Sequence, residues 1–131
     1  MSGYQTVVVG TDGSETSLRA VDRAAQIAAR SDAKLIIATG YSRTSGARKS
    51  DAILREAGDR ARAAGAKNIE EEGILDDPVH ALVDLAARVE ADLLVVGSVG
   101  VSQIVLGRLF SFAGNVSRMA KTDVLVVHTT G

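Results

Sequence analysis

Five short aliphatic runs separated by longer stretches of helical spacing constrain this chain more than any other feature. They run from Tyr4 to Val9, Leu35 to about Thr39, Asn68 to Leu75, Asp92 to Val96 and Val124 to His128. Such alternation is the pattern of a parallel α/β sheet rather than of a sandwich or a helical bundle. The stretches between carry their own start and stop signals. Ser14 caps a first helix reaching about Arg30, with Leu18, Val21, Ala25 and Ala28 on its inward stripe. Ser50 caps a second helix, with Ile53, Ala57, Ala61 and Ala64 facing inward and Gly65 as its stop. Asp77 caps a third and Pro78 takes its first helical position, ahead of an apolar face of Val79, Leu82, Val83, Ala86 and Val89. A glycine-punctuated loop from Gly97 to Ser111 leads into a short fourth helix that ends near Lys121.

These elements predict one α/β domain over 1–131, without linker or repeat. The third strand carries Glu70 and Glu72 between Ile69 and Ile74, so it belongs at a sheet edge. If the two early crossovers wind one way and the later ones the other, the order is 3-2-1-4-5. That is a doubly wound five-stranded parallel sheet with helices on both faces, and it centres strands one and four, as their continuous aliphatic character requires. Ligands of such sheets bind outside the carboxyl ends of the strands where the winding reverses, here between strands one and four. The last strand is then an exposed edge reading Val124-Leu125-Val126-Val127. A homodimer covering that edge is the expectation, because an open aliphatic edge templates aggregation.

Composition narrows the function classes. No cysteine is present, which excludes thiol catalysis, zinc ribbons, iron–sulfur centres and disulfide scaffolds. Fifteen basic and 16 acidic residues leave a net charge of −1, too little field to attract nucleic acid or an anionic membrane. The aromatics are Tyr4, Tyr41, Phe110 and Phe112, a poor supply for stacking bases of a single strand. Met1 to Thr6 has neither a basic segment nor an apolar core of a signal peptide, and no aliphatic run approaches the roughly 20 residues of a membrane helix. A cytoplasmic protein with no membrane or nucleic-acid partner is expected.

The chemistry gathers in two turns. After the first strand comes Gly10-Thr11-Asp12-Gly13, and after the fourth Gly97-Ser98-Val99-Gly100, with Ser102 close behind and Ser111 opening the last helix. Backbone N–H groups, hydroxyls and a helix start are the parts of a phosphate cradle, and also of an ordinary loop that needs glycine to turn. The second turn is not a Walker A loop, since no Lys-Ser or Lys-Thr closes it. Asp12 faces it as an acceptor, or simply bonds its own turn. Arg108 is the one cation between Gly97 and Ser111, a counterion for phosphate or a surface arginine. His80 and His128 lack a carboxylate pattern around them and predict no transition-metal site. Glu70 to Glu72 read as a solvated edge, Asp76-Asp77 as capping, and Arg43, Arg48 and Lys49 as a solvated loop. No Ser-His-Asp arrangement or general base is visible, so no catalytic residue is expected.

The residues resemble the universal stress protein family over essentially the whole chain. Val7-Val8-Val9-Gly10-Thr11-Asp12-Gly13-Ser14 matches its first-strand motif, while Asp92 to Gly100, Asn115-Val116 and Val124 to Val127 match its second half. The resemblance implies the 3-2-1-4-5 sheet, homodimers through the last strand (Val124, Leu125, Val126, Val127), and a site for ATP, AMP or cyclic AMP. Carried over, Gly97 and Gly100 lie under the phosphates with Ser98, Val99 and Ser102 beside them, and Ser111 and Phe112 contact them from the helix start. Gly10, Thr11 and Asp12 lie by the adenine or ribose, and backbone near Ala38 to Gly40 lines the base pocket. No covalent cofactor is implied, only Mg²⁺ arriving with a bound nucleotide and meeting Asp12, and at most a weak hydrolysis of ATP that would rest on that ion. One position departs: nine residues beyond Gly100 the family pattern has glycine and this chain has Phe110. The resemblance therefore implies either a dimeric sensor or buffer of an adenine nucleotide, or a dimeric interaction protein that binds none because of Phe110.

Overall fold

In a computed structural model, which describes residues 3–41, 46–76, 78–97, 103–105, 108–110 and 112–127, strand and helix alternate along the chain. The elements are β1 (Thr6–Gly10), α1 (Glu15–Ser31), β2 (Lys34–Tyr41), α2 (Ala47–Ala63), β3 (Asn68–Leu75), α3 (Pro78–Arg88), β4 (Leu93–Gly97), β5 (Gln103–Val105), β6 (Arg108–Phe110), α4 (Phe112–Met119) and β7 (Asp123–Val127). Five of the strands form one sheet in the order β3-β2-β1-β4-β7, with every neighbouring pair parallel. The doubly wound sheet expected from the alternation is therefore present, β7 being its fifth strand in chain order. Among the described residues no helix is long and apolar enough to cross a membrane.

Alternating side chains of the central strands feed two cores. Val7, Val9, Leu35, Ile37, Leu93 and Val95 pack against Leu18, Val21, Ala25 and Ala28 of α1 and Leu54, Ala57 and Ala61 of α2. Val8, Ile36, Ala38, Leu94 and Val96 face the other way, onto Leu82, Leu85 and Ala86 of α3 and Val116 of α4. The strands at the centre have no solvated face, which is why their sequences read as unbroken aliphatic runs. Small alanines on α1 let that helix lie close to the sheet, where interior packing tolerates no void.

The helix boundaries test the capping arguments. Ser14 caps α1 as expected: its Oγ accepts the N–H of Ser17 at 3.2 Å. Gly65, with φ +110, ends α2, while α1 ends on Asp32 in the left-handed region at φ 54. Ser50 does not cap α2. The helix begins earlier, after Gly46, which offers no side-chain bond, and Ser50 lies within its first turn. The reason is geometric: Ser50, Leu54, Ala57 and Ala61 form one stripe at helical spacing, so the serine faces the core, and its buried Oγ has no partner among the described residues. Pro78 opens α3; the proposed cap Asp77 lies outside the described residues.

The stretch from Gly97 to Ser111 departs from the expected plain loop. It contains the antiparallel pair β5 and β6, in which Gln103 faces Phe110, Ile104 faces Leu109 and Val105 faces Arg108. The apolar pairs Ile104-Val105 and Leu109-Phe110 on either side of three intervening residues that include Gly107 were the signal for a hairpin. At the amino end of the sheet, Asp92 ties β1 to β4 by accepting the N–H groups of Gln5 and Thr6 at 2.9 and 3.0 Å. Nearby, Tyr4 donates to Asp123 Oδ2 at 3.1 Å, and that bond holds the phenol above its ordinary pKa.

Candidate functional site

The winding reverses between β1 and β4, which pair with Val7 opposite Leu93 and Val9 opposite Val95. Beyond their carboxyl ends the chain leaves in opposite directions, and a crevice opens there by topology alone. Gly10 and Gly97 are the last residues of these two strands rather than the first residues of the turns. Gly10 stands beside Ala38 of β2 in register, and the N–H of Thr11 donates to the Ala38 carbonyl at 3.0 Å. The first turn is thus sewn to β2 by the same carbonyl that was expected to line a base pocket.

Gly10 is also a packing residue. It points at α3, and a Cβ there would run into Cδ1 of Leu82, with Leu82 Cγ 3.1 Å away. Gly13, at φ +86, has the left-handed backbone that side chains resist, and Ile53 of α2 would lie 2.9 Å from a Cβ at that position. Both ends of the Gly10 to Gly13 turn are therefore closely covered, one by α3 and one by α2.

Within the turn, Thr11 is buried and Asp12 exposed. Asp12 Oδ1 accepts the N–H of Ser14 at 2.9 Å, the local turn bond that its sequence context allowed. No described residue donates to its second carboxylate oxygen. Thr11 Oγ1 lies 2.7 Å from Ser17 Oγ and accepts the N–H of Gly13 at 3.1 Å. Ser17 Oγ also accepts the N–H of Asp12, at 3.3 Å, and donates to the Ser14 carbonyl at 2.9 Å. Ser17 was not singled out in the sequence. Its only signal was a second serine three residues after the cap, a spacing common to many helix starts.

The structure thus brings Gly10, Thr11, Asp12 and Ala38 together at one side of the crevice, with Gly97 ending the neighbouring strand. Ser98, Val99, Gly100, Ser102 and Ser111 lie outside the described residues; the backbone of Phe112 begins α4. Phe110 is the last residue of β6, paired with Gln103 in an extended strand, so its backbone is not in the left-handed conformation for which glycine would be needed. Among the described residues no group of three His, Asp or Glu side chains is placed to hold a metal. A turn pinned in this way, at the end of a strand whose neighbour ends in glycine, stands where doubly wound sheets hold their ligands.

Residues 3–128 match the sequence profile of the universal stress protein family. A universal stress protein of Mycobacterium tuberculosis is 54% identical over an alignment of 147 residues that covers 99% of this chain and 100% of the relative. That alignment is longer than the 131 residues of this chain, so the relative has internal residues that this chain lacks. A universal stress protein solved in complex with cAMP is 61% identical, with a TM-score of 0.87 over 98% of this chain and 100% of that one. The universal stress protein from Archaeoglobus fulgidus in complex with dAMP is 25% identical, with a TM-score of 0.72 over 94% of this chain and 97% of that one.

Proposed function

This chain belongs to the universal stress protein family, and from that premise we propose that it binds an adenine nucleotide between the carboxyl ends of β1 and β4 and serves as a dimeric sensor or buffer of it. The observation that carries the reading is the 61%-identical relative of nearly equal extent held in complex with cAMP. In this chain Gly10, Thr11, Asp12 and Ala38 would take the base and sugar, and Gly97, Ser98, Val99, Gly100 and Ser102 the phosphate, with Ser111 and Phe112 at the start of α4. A divalent ion would come with a polyphosphate and find Asp12 as its one carboxylate here; AMP and cyclic AMP need none.

The bulk of Phe110, rather than backbone strain, argues for one phosphate instead of three. A thermal-shift titration with AMP, cyclic AMP and Mg-ATP tests the reading, because a ligand of the native state must raise the melting temperature. At a hundredfold excess over Kd the stabilisation is about 2.7 kcal/mol, a rise of several degrees. AMP and cyclic AMP are expected to give it and ATP a smaller one, with Phe110→Gly restoring ATP. No rise with any of the three at millimolar concentration would overturn nucleotide binding and leave the dimeric interaction protein.

A further inference from the structure

We infer that Ser17, a buried residue in the first turn of α1, is the positioning residue that sets sugar selectivity at this site, acting through Asp12; this rests on the nucleotide reading above. The case begins with counting protons. A serine hydroxyl has one to donate and two lone pairs to accept with. Assigning the Ser17 proton to the Ser14 carbonyl at 2.9 Å leaves Thr11 as the donor in their 2.7 Å contact, the arrangement in which both hydroxyl protons find an acceptor. Thr11 Oγ1 in turn accepts from the Gly13 N–H at 3.1 Å. The bonds therefore run in one direction, from Gly13 N–H through Thr11 and Ser17 to the Ser14 carbonyl, and each strengthens the next.

That chain encloses Asp12. Its own N–H reaches Ser17 Oγ at 3.3 Å, its Oδ1 is taken by Ser14 N–H at 2.9 Å, and its neighbours on both sides are held by the same two hydroxyls. Thr11 and Ser17 are 7% and 6% exposed, whereas Asp12, directly after Thr11, lies in the open. A buried, fully satisfied pair beneath an exposed carboxylate is a rigid mount with one acceptor left over. That acceptor is anionic, so it repels phosphate and takes a donor; an adenine nucleotide offers its sugar hydroxyls and its 6-amino group, and a nucleotide stripped of the hydroxyls alone tells the two apart. Hydrogen bonding needs heavy atoms within about 3.2 Å and good alignment, which a loosely held side chain does not maintain. Without the Ser17 hydroxyl, the Thr11 proton and the Asp12 N–H both lose their acceptor, and the turn must rearrange.

The test compares AMP with 2′,3′-dideoxy-AMP, which has no sugar donor, by titration calorimetry on the whole protein. Wild type is expected to prefer AMP roughly tenfold, the size of one charge-assisted hydrogen bond. Ser17→Ala should bring that ratio close to one while changing dideoxy-AMP affinity less than about twofold, and Ser17→Thr should restore it. If Ser17→Ala does not fold, Ser17→Cys, whose thiol is a weak donor and a weak acceptor, serves as the test and should lower the ratio in the same way. Equal weakening of both nucleotides in Ser17→Ala, with the ratio kept, would make Ser17 merely structural and overturn the inference. Equal affinities for both in wild type would overturn it and leave nucleotide binding standing. Binding of neither by wild type would overturn both.

Discussion

Gly10 shows how a residue legible as functional can be held in place by packing. Its position at the end of the first strand, in a Gly-Thr-Asp-Gly sequence, reads as a ligand turn, and Thr11 and Asp12 follow the strand end directly. Yet the nearest atoms to a new Cβ belong to Leu82, itself 3% exposed and unable to swing into solvent. Gly10→Ala should therefore cost about 1–2 kcal/mol, the overpacking penalty less the entropy that glycine loses on folding. In a Leu82→Ala background, already weakened by about 2–5 kcal/mol, the additional cost should vanish, since the clashing atoms are gone. Urea denaturation of the four proteins closes the cycle. A glycine required only by ligand would leave Gly10→Ala as stable as wild type and weaken binding alone. What no inspection of the sequence gave was Ser17, because its partners Thr11, Asp12 and Ser14 come within reach only after the chain has reversed from β1 into α1.

Elements were legible where one physical signal acted alone. The central strands are buried on both faces and announce themselves as aliphatic runs; Gly65 ends α2 because a left-handed residue is needed there. Asp32 and Glu90 occupy the same conformation at φ 54 and 55 without being glycine, so the ends of α1 and α3 carried no such mark. Ser50 was misplaced because two signals competed, a capping residue type and membership of an inward stripe, and burial decided. Gly58 shows a related conflict within α2. A glycine in a helix interior costs about 1 kcal/mol relative to alanine, and here the space it leaves is filled by Glu71 Oε2, 2.5 Å from where a Cβ would be, and Arg62 Nη2 at 3.3 Å. Both are ends of long, exposed side chains that can move aside for a few tenths of a kcal/mol. Gly58→Ala should thus stabilise the protein by about 0.5 kcal/mol and raise its melting temperature by roughly 2 °C. A fall would mean that the contact of Glu71 with the helix backbone outweighs helix propensity.

At the scale of the whole molecule, the two edges of the sheet are chemically unequal, and that inequality should decide how copies associate. The β3 edge carries Glu70, Glu71 and Glu72, with Lys34 of β2 reaching Glu70 across the pair. Charges of one sign in a row keep a second strand from adding there. The β7 edge offers Val124 to Val127 behind the single charge of Asp123, and Val126, on the face shared with α4, is 42% exposed. Among the described residues its outer N–H and C=O groups have no strand beside them, since β7 ends the sheet. A two-fold axis through such an edge pairs the strand with its own copy antiparallel and closes the assembly at two, which removes the open edge without building a fibre. The protein should accordingly sediment at twice 13.6 kDa at micromolar concentration. Val126→Lys places a charge on both sides of the axis at once, where like charges across paired strands repel, and should give a folded monomer. Unchanged circular dichroism with a halved mass by light scattering is the expected result for the variant. Wild type running as a monomer, or the lysine variant remaining a dimer, would place the contact elsewhere.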